Sequence, residues 1–245
     1  MVGKGCRTGC ARPARNGPRS LGGSMPGLPK ELCEGYNRFR RDYLTRHRAY
    51  LERLAREGQH PHTLFVACPE GTVVPEIMLD ARPGDIFTEV NIANQVHRAD
   101  SDASSAGAAV VFAVKYLKVS HVVVCGHYNC GGVAAVLAGL DAHEGEIRAW
   151  LSGVLPIADK TAHLRDRLQA RWDAAVEENV MLQLGNLKTH ECVQKALSAG
   201  RLWLHAWVCD LRGGILVLNP ETNRFEAVPE CACGDETIRD SMCDL

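Results

Sequence analysis

Two kinds of apolar pattern alternate along this 245-residue chain. Short unbroken apolar runs stand at 63–67, Thr-Leu-Phe-Val-Ala, and at 121–125, His-Val-Val-Val-Cys. Such runs, rich in β-branched residues, belong to strands covered on both faces, where no position has to be polar. A further strand is expected in "DIFTEVNIA" from Asp85, after the Pro83-Gly84 turn. Another is expected at 202–211, "LWLHAWVCDL", which Gly213-Gly214 turns into "ILVLN". Elsewhere the spacing becomes helical. Leu32, Tyr36, Phe39 and Tyr43 recur at near-helical intervals with charges between them, predicting a helix from Pro29 to about Gly58, and Pro29 suits its first turn. Helices are also predicted at Ser104–Lys118, at Gly131–Leu140, and in "NVMLQLGNL" and "HECVQKALSAG" beyond residue 144. Strands alternating with helices imply an α/β fold: a parallel-sheet core with flanking helices, an N-terminal helical arm and a C-terminal edge strand.

Composition changes this picture mainly at the ends. Residues 1–28 carry Lys4, Arg7, Arg12, Arg15 and Arg19 with no acid, among Gly and Pro. That segment reads either as a flexible basic tail, with Met25 as an alternative start, or as an organellar presequence, although apolar helical spacing is missing. Residues 29–228 read as one domain, and 229–245 as a tail bearing Cys231, Cys233 and Cys243. "CAC" could form a redox pair or bind metal, but it lacks a fourth ligand at zinc-site spacing. Eleven cysteines in a chain with so much apolar sequence fit reduced thiols better than a disulfide framework, which places the protein inside the cell. The cytoplasm is the expected compartment, with a mitochondrial address left open by the basic N-terminus. A net charge of −1 gives no electrostatic footprint for nucleic acid or membrane partners, and no apolar run is long enough to span a bilayer. No G-x-G-x-x-G follows a strand and no G-x-S-x-G occurs, which argues against dinucleotide binding and an α/β-hydrolase site.

The chemistry gathers where two strands end. Cys68 closes one strand; His127 and Cys130 lie on one tight turn after another, flanked by Gly126, Gly131 and Gly132. If the two strands are parallel neighbours, the three side chains converge at the carboxyl end of the sheet, where α/β folds place their sites. Two thiolates and an imidazole make a tetrahedral zinc set with the fourth position open, the pattern of catalytic zinc.

At this point the sequence resembles the β-class carbonic anhydrases. The resemblance spans about residues 28–227 through "EGQHPHTLFVAC", "PGDIF", "NIAN", "SAGAAVVFAVKYLKVSHVVVCGH", "CGG", "ENV" and "HAWVCDL", in family order and at nearly family spacing. It implies an enzyme, a carbonate dehydratase, that interconverts carbon dioxide and bicarbonate through zinc-bound hydroxide. It also implies one Zn2+ per chain and an N-terminal arm exchanged in a homodimer or tetramer. Cys68, His127 and Cys130 match the family's zinc ligands. Gln59 matches the glutamine that hydrogen-bonds substrate, and Gly131 supplies a backbone N–H beside it. Phe87, Ile92 and Phe112 match apolar pocket positions, Phe112 standing where a tyrosine is common.

One stretch departs from the family. Where relatives usually read Cys-x-Asp-Ser-Arg, this chain reads Cys68-Pro69-Glu70-Gly71-Thr72, and Val90 stands where many relatives have a basic residue. The family's Arg holds the Asp by a bidentate contact, which keeps zinc free; Thr72 cannot form that fork. Two outcomes are open. Glu70 takes the acid/base role, oriented by Thr72 or a backbone group at a reduced rate, or it becomes a fourth metal ligand and closes the site. The leading expectation is carbon dioxide hydration with altered or reduced activity. The alternatives are an inactive zinc-stabilised homologue acting as a binding or assembly subunit, and a related zinc hydrolase for another small substrate.

Overall fold

A computed structural model describes residues 29–228 except 71, 102–103 and 143–144; the two tails and the backbone of Gly71 lie outside the described residues. The chain divides into two compact units between Arg53 and Leu54, inside the 29–228 segment that reads as one domain in the sequence. The first unit is helical. It contains α1 (Lys30–Arg38), a wider π-type stretch at Phe39–Leu44, and most of α2 (Arg48–Glu57). Tyr36, Phe39 and Tyr43 form a ladder of stacked rings, with centroids 6.4 and 5.5 Å apart.

The second unit is built on a six-stranded sheet. Its strands are β1 (Thr63–Ala67), β2 (Ile86–Val90), β3 (His121–His127), β4 (Trp203–Asp210), β5 (Gly214–Asn219) and β6 (Arg224–Ala227). The order is β2-β1-β3-β4-β5-β6, with the first four strands parallel and the last two antiparallel. β1 is buried at every position, as its unbroken apolar run predicts. The edge beyond β5 is β6, which the pattern does not announce because "RFEA" carries a single large apolar side chain.

Helices follow the strands: α3 (Pro75–Met78) after β1, α4 (Ser105–Val111) after β2, and α5 (Gly131–Ala138) after β3. The predicted helix at 104–118 is present, with Ser104 accepting the Gly107 N–H as its N-cap, but its second half, Phe112–Leu117, widens into a π-type turn. Then come α6 (Gly145–Leu151), α7 (Pro156–Lys160), the long α8 (Leu168–Leu187) and α9 (Glu191–Ser198).

Alternation along the strands sorts the core into two faces. Leu64, Val66, Val122, Val124, Ala206 and Val208 belong to the larger core, together with Val176, Val180 and Leu187 of α8. Phe65, Ala67, Val123, Cys125 and Cys209 form a smaller cluster on the other face. The contact of α8 with β3 is close enough to dictate sequence. A Cβ on Gly126 would lie 2.7 Å from Val180 Cγ2, so only glycine lets the helix approach there.

Candidate metal centre

β1 and β3 are adjacent and parallel, with Ala67 opposite Cys125, so Cys68 emerges level with Gly126 and beside His127. Cys130 is the N-cap of α5, three residues beyond the end of β3. The convergence expected from strand ends is therefore realised. One ligand atom from each of Cys68, Glu70, His127 and Cys130 lies within 4.8 Å of the others. Cys68, His127 and Cys130 are each only 1% exposed, and the two sulfurs are 4.0 Å apart.

The chemistry of these atoms suits a cation. His127 Nδ1 sits 3.1 Å from the Tyr128 carbonyl, a contact that requires the proton on Nδ1 and leaves a lone pair on Nε2. That Nε2 is buried and has no hydrogen-bond partner among the described residues. An orphaned buried nitrogen costs on the order of 1–3 kcal/mol, which a metal bond would recover. Hydrogen bonding from Cys130 holds the Cys68 thiol down at about 4, helped by His127 and by the backbone N–H groups of Glu70 and Ala93. The same shared proton and burial push Cys130 far above the ordinary thiol range. For His127, burial alone would disfavour the charged ring, but Cys68, the Tyr128 carbonyl and Glu70 outweigh it and raise its pKa. Cys68 and Cys130 share one hydrogen bond between sulfurs 4.0 Å apart, with the His127 ring beside them, a donor set whose charge suits a divalent ion. Two thiolates and one imidazole fit zinc.

Glu70 behaves differently from the three buried groups. Its side chain is 42% exposed, and Oε2 lies 3.8 Å from His127 Nε2. Oε1 accepts the Gly131 N–H at 2.7 Å. A backbone amide thus restrains the carboxylate in the absence of the guanidinium, which is the backbone alternative open in the sequence. Among the described residues the Thr72 hydroxyl bonds the Glu70 carbonyl, at 3.4 Å, and not its carboxylate. A Cβ on Gly131 would stand 2.9 Å from Glu70 Oε1, so glycine is what admits the carboxylate here.

The predicted pocket residues separate into two groups. Gly131 is at the cluster, and Ile92, 38% exposed, follows β2 on the same side of the sheet. Phe87 pairs with Leu64, four residues before Cys68 and so roughly 13 Å back along the strand. Phe112, 47% exposed, stacks on Phe87 with centroids 5.8 Å apart. Gln59 lies exposed in the turn ahead of β1, on the amino side of the sheet and next to Gly84. Strand direction therefore sets Gln59, Phe87 and Phe112 apart from their own chain's cluster.

Several supporting residues carry no local sequence signal. Trp172 Nε1–H donates to the Cys130 carbonyl at 3.0 Å. Tyr128 O–H donates to Glu177 at 2.7 Å, anchoring the residue whose carbonyl orients His127. Ala93, at φ 62°, is held by Asn179 Nδ2–H on its carbonyl at 3.0 Å. Gln183 of the same helix accepts the Val96 N–H at 2.9 Å and donates to Asn179 at 2.8 Å. Apart from the Gln183–Asn179 bond within α8, these partners lie 42 to 87 residues apart, so only the placement of α8 across β3 reveals them.

A mostly parallel α/β sheet carries at its carboxyl end a Cys-His-Cys cluster that could hold a metal ion, and comparison with known proteins assigns the family. The carbonic anhydrase family model matches residues 63–216. A carbonic anhydrase from Pseudomonas aeruginosa is 37% identical over 205 residues, covering 82% of this chain and 92% of that protein. Carbonic anhydrase 1 of Escherichia coli O157:H7 is 35% identical, covering 80% and 90%. Among solved structures, the β-carbonic anhydrase CcaA superposes with a TM-score of 0.76 at 29% identity, covering 81% of this chain and 91% of that one. A tetrameric β-carbonic anhydrase from Sordaria macrospora gives 0.68 at 27% identity, covering 77% and 95%. The chain belongs to the carbonic anhydrase family, to its β class, and is a lyase of that family.

Proposed function

We propose that this protein catalyses the reversible hydration of carbon dioxide to bicarbonate, with one zinc ion held by Cys68, His127 and Cys130, and more slowly than relatives that keep the Asp-Arg pair. The observation that carries this reading is the partnerless His127 Nε2, buried within 4.8 Å of two thiols and a carboxylate. Bound zinc supplies Lewis acidity that makes water a nucleophile near neutral pH. The chain's own residues do the rest. Cys68 and Cys130 bring two negative charges, and the Tyr128 carbonyl fixes the His127 tautomer. Glu70 accepts the proton from the reacting water, restrained by Gly131 N–H rather than by an arginine. Because that N–H is engaged by Glu70, substrate must share or displace it, and this is the physical reason for a reduced rate.

The separation of Gln59, Phe87 and Phe112 from the cluster supports a homodimer in which a second copy presents them over the metal, where Gln59 positions substrate and the two rings form the apolar wall with Ile92. A second reading is favoured by the 3.8 Å approach of Glu70 to His127: Glu70 becomes the fourth metal ligand, and the protein is a zinc-stabilised assembly subunit without hydration activity.

Stopped-flow hydration by protein of verified zinc content, between about pH 6.5 and 9, separates the two readings. A rate that rises with pH and vanishes in Cys68→Ala supports the enzyme. No rate above buffer with one zinc per chain supports the closed site. In that event Glu70→Asp, Gly71→Ser and Thr72→Arg together should raise activity if the remaining pocket is competent.

A further inference from the structure

The amino ends of β3 and β4 carry a second group of ligand-type side chains, at the end of the sheet opposite to the Cys-His-Cys cluster. His121 opens β3 and pairs with Trp203, and His205 stands two residues further along β4, so all three side chains face the same side of the sheet. His121 Nδ1 lies 3.0 Å from His205 Nε2. The two half-buried rings have centroids 5.2 Å apart, and the exposed ring of Trp203 lies beside His121 at 5.4 Å. His127 is six residues beyond His121 on the same strand, which puts the histidine pair roughly 20 Å from the candidate metal centre.

The facing nitrogens are spaced for a metal ion. Two nitrogens bonded to one ion at ~2.0–2.1 Å stand about 2.9 Å apart at a right angle and about 3.4 Å apart at the tetrahedral angle, and the observed 3.0 Å falls between these. In the hydrogen-bonded pair one facing nitrogen carries a proton and the other a lone pair. Metal binding needs a lone pair on both, which the donor ring supplies by passing its proton, through solvent, to its other ring nitrogen. Both rings then stay neutral, and the pair loses no proton. Burial, with His121 adding to it, lowers the His205 pKa and so favours the neutral ring that a metal requires. Among the described residues no third His, Cys, Asp or Glu joins the pair as closely as the members of the Cys68 cluster join one another. Water completes the coordination, which makes the ion exchangeable.

We propose that His121 and His205 form a second metal site, which takes one exchangeable divalent transition-metal ion of the kind that prefers imidazole, such as Zn2+, Ni2+ or Cu2+. The ion replaces one hydrogen bond between β3 and β4 by two metal–nitrogen bonds and ties the two strands together at the end away from the Cys68 cluster. The rings meet only through the register of the folded sheet, so the ion binds the native chain in preference to the unfolded one. Stability therefore rises with its concentration.

The test uses the full chain, saturated with zinc and freed of excess, then titrated with Ni2+, whose unpaired electrons quench nearby indole emission. The expected result is saturable quenching by one added Ni2+ per chain, smaller in amplitude in Trp203→Phe. His121→Ala and His205→Ala should each weaken this binding by at least ~10-fold, the lower bound for losing even an outer partner of a metal site. His205→Gln keeps a hydrogen-bonding side chain for His121 but no ring nitrogen, so it separates ligation from packing and should weaken binding as much. Ni2+ affinity undiminished in the histidine variants overturns the proposal, since the ion is then held elsewhere. So does binding to the parent protein weaker than about 1 mM. Every readout is binding rather than hydration, so the result stands whether or not the Cys68 cluster is catalytic.

Discussion

The trio Cys68, His127 and Cys130 and the loop Pro69–Thr72 share one site but are held by different means. The trio sits at the ends of β1 and β3 and at the N-cap of α5, each side chain 1% exposed and backed by α8. The loop leaves β1 after a single residue, presents Glu70 at 42% side-chain exposure, and among the described residues is tied through the Gly131 N–H to Glu70 and the Cys209 thiol to Thr72. The difference separates two tasks. Under the proposed function, metal retention falls to positions the sheet fixes, and acid/base chemistry to positions that can change without disturbing the core.

The comparison breaks most severely if a trio residue is not a ligand. Cys68→Ala should weaken zinc binding by more than the ~10–100-fold typical of outer partners, measured by competition with a chromophoric chelator. Affinity retained within tenfold would remove Cys68 from the metal centre.

Gly131→Ala probes the loop. A Cβ 2.9 Å from Glu70 Oε1 must displace the carboxylate, so kcat/KM for hydration should fall about 10–100-fold while zinc affinity moves by less than ~10-fold. Equal losses in both would show that loop and trio act as one metal-holding unit.

Gly126→Ala tests the support beneath the trio. Its Cβ would meet Val180 Cγ2 at 2.7 Å, and overpacking of this kind costs about 1–3 kcal/mol, read as a lower urea midpoint. Adding Val180→Ala should restore part of the loss; no recovery would mean that the clash lies elsewhere.

The smallest effect concerns Glu177. Burial raises its pKa, so between its unfolded value and that raised folded value the native state binds more protons than the unfolded chain. Stability from this group is present below the unfolded pKa and is lost as pH rises through the folded one. Glu177→Gln keeps an acceptor for Tyr128 and should flatten that decline, by no more than about 1 kcal/mol once solvent screening is allowed for. Parallel stability–pH curves for the variant and the parent protein would contradict the assignment.

Particular residues show why some of this was readable in the sequence. "TLFVA" and "HVVVC" announce buried strands because every position is apolar, and the three ligands announce themselves by residue type at strand ends. β6 stays hidden because an edge strand needs few apolar residues. Trp172, Glu177 and Asn179 stay hidden because each acts on a residue 42 to 86 positions away.

The sequence by itself determined the alternation of strands and helices, the Cys-His-Cys donor set and the loss of the arginine, since these depend on local pattern and side-chain chemistry. Tertiary structure alone decided that Gly131 N–H takes hold of Glu70 and that Gln59, Phe87 and Phe112 fall at the other end of the strands. Those facts follow from strand direction and register, which pair residues far apart in the chain and leave no periodic trace in it.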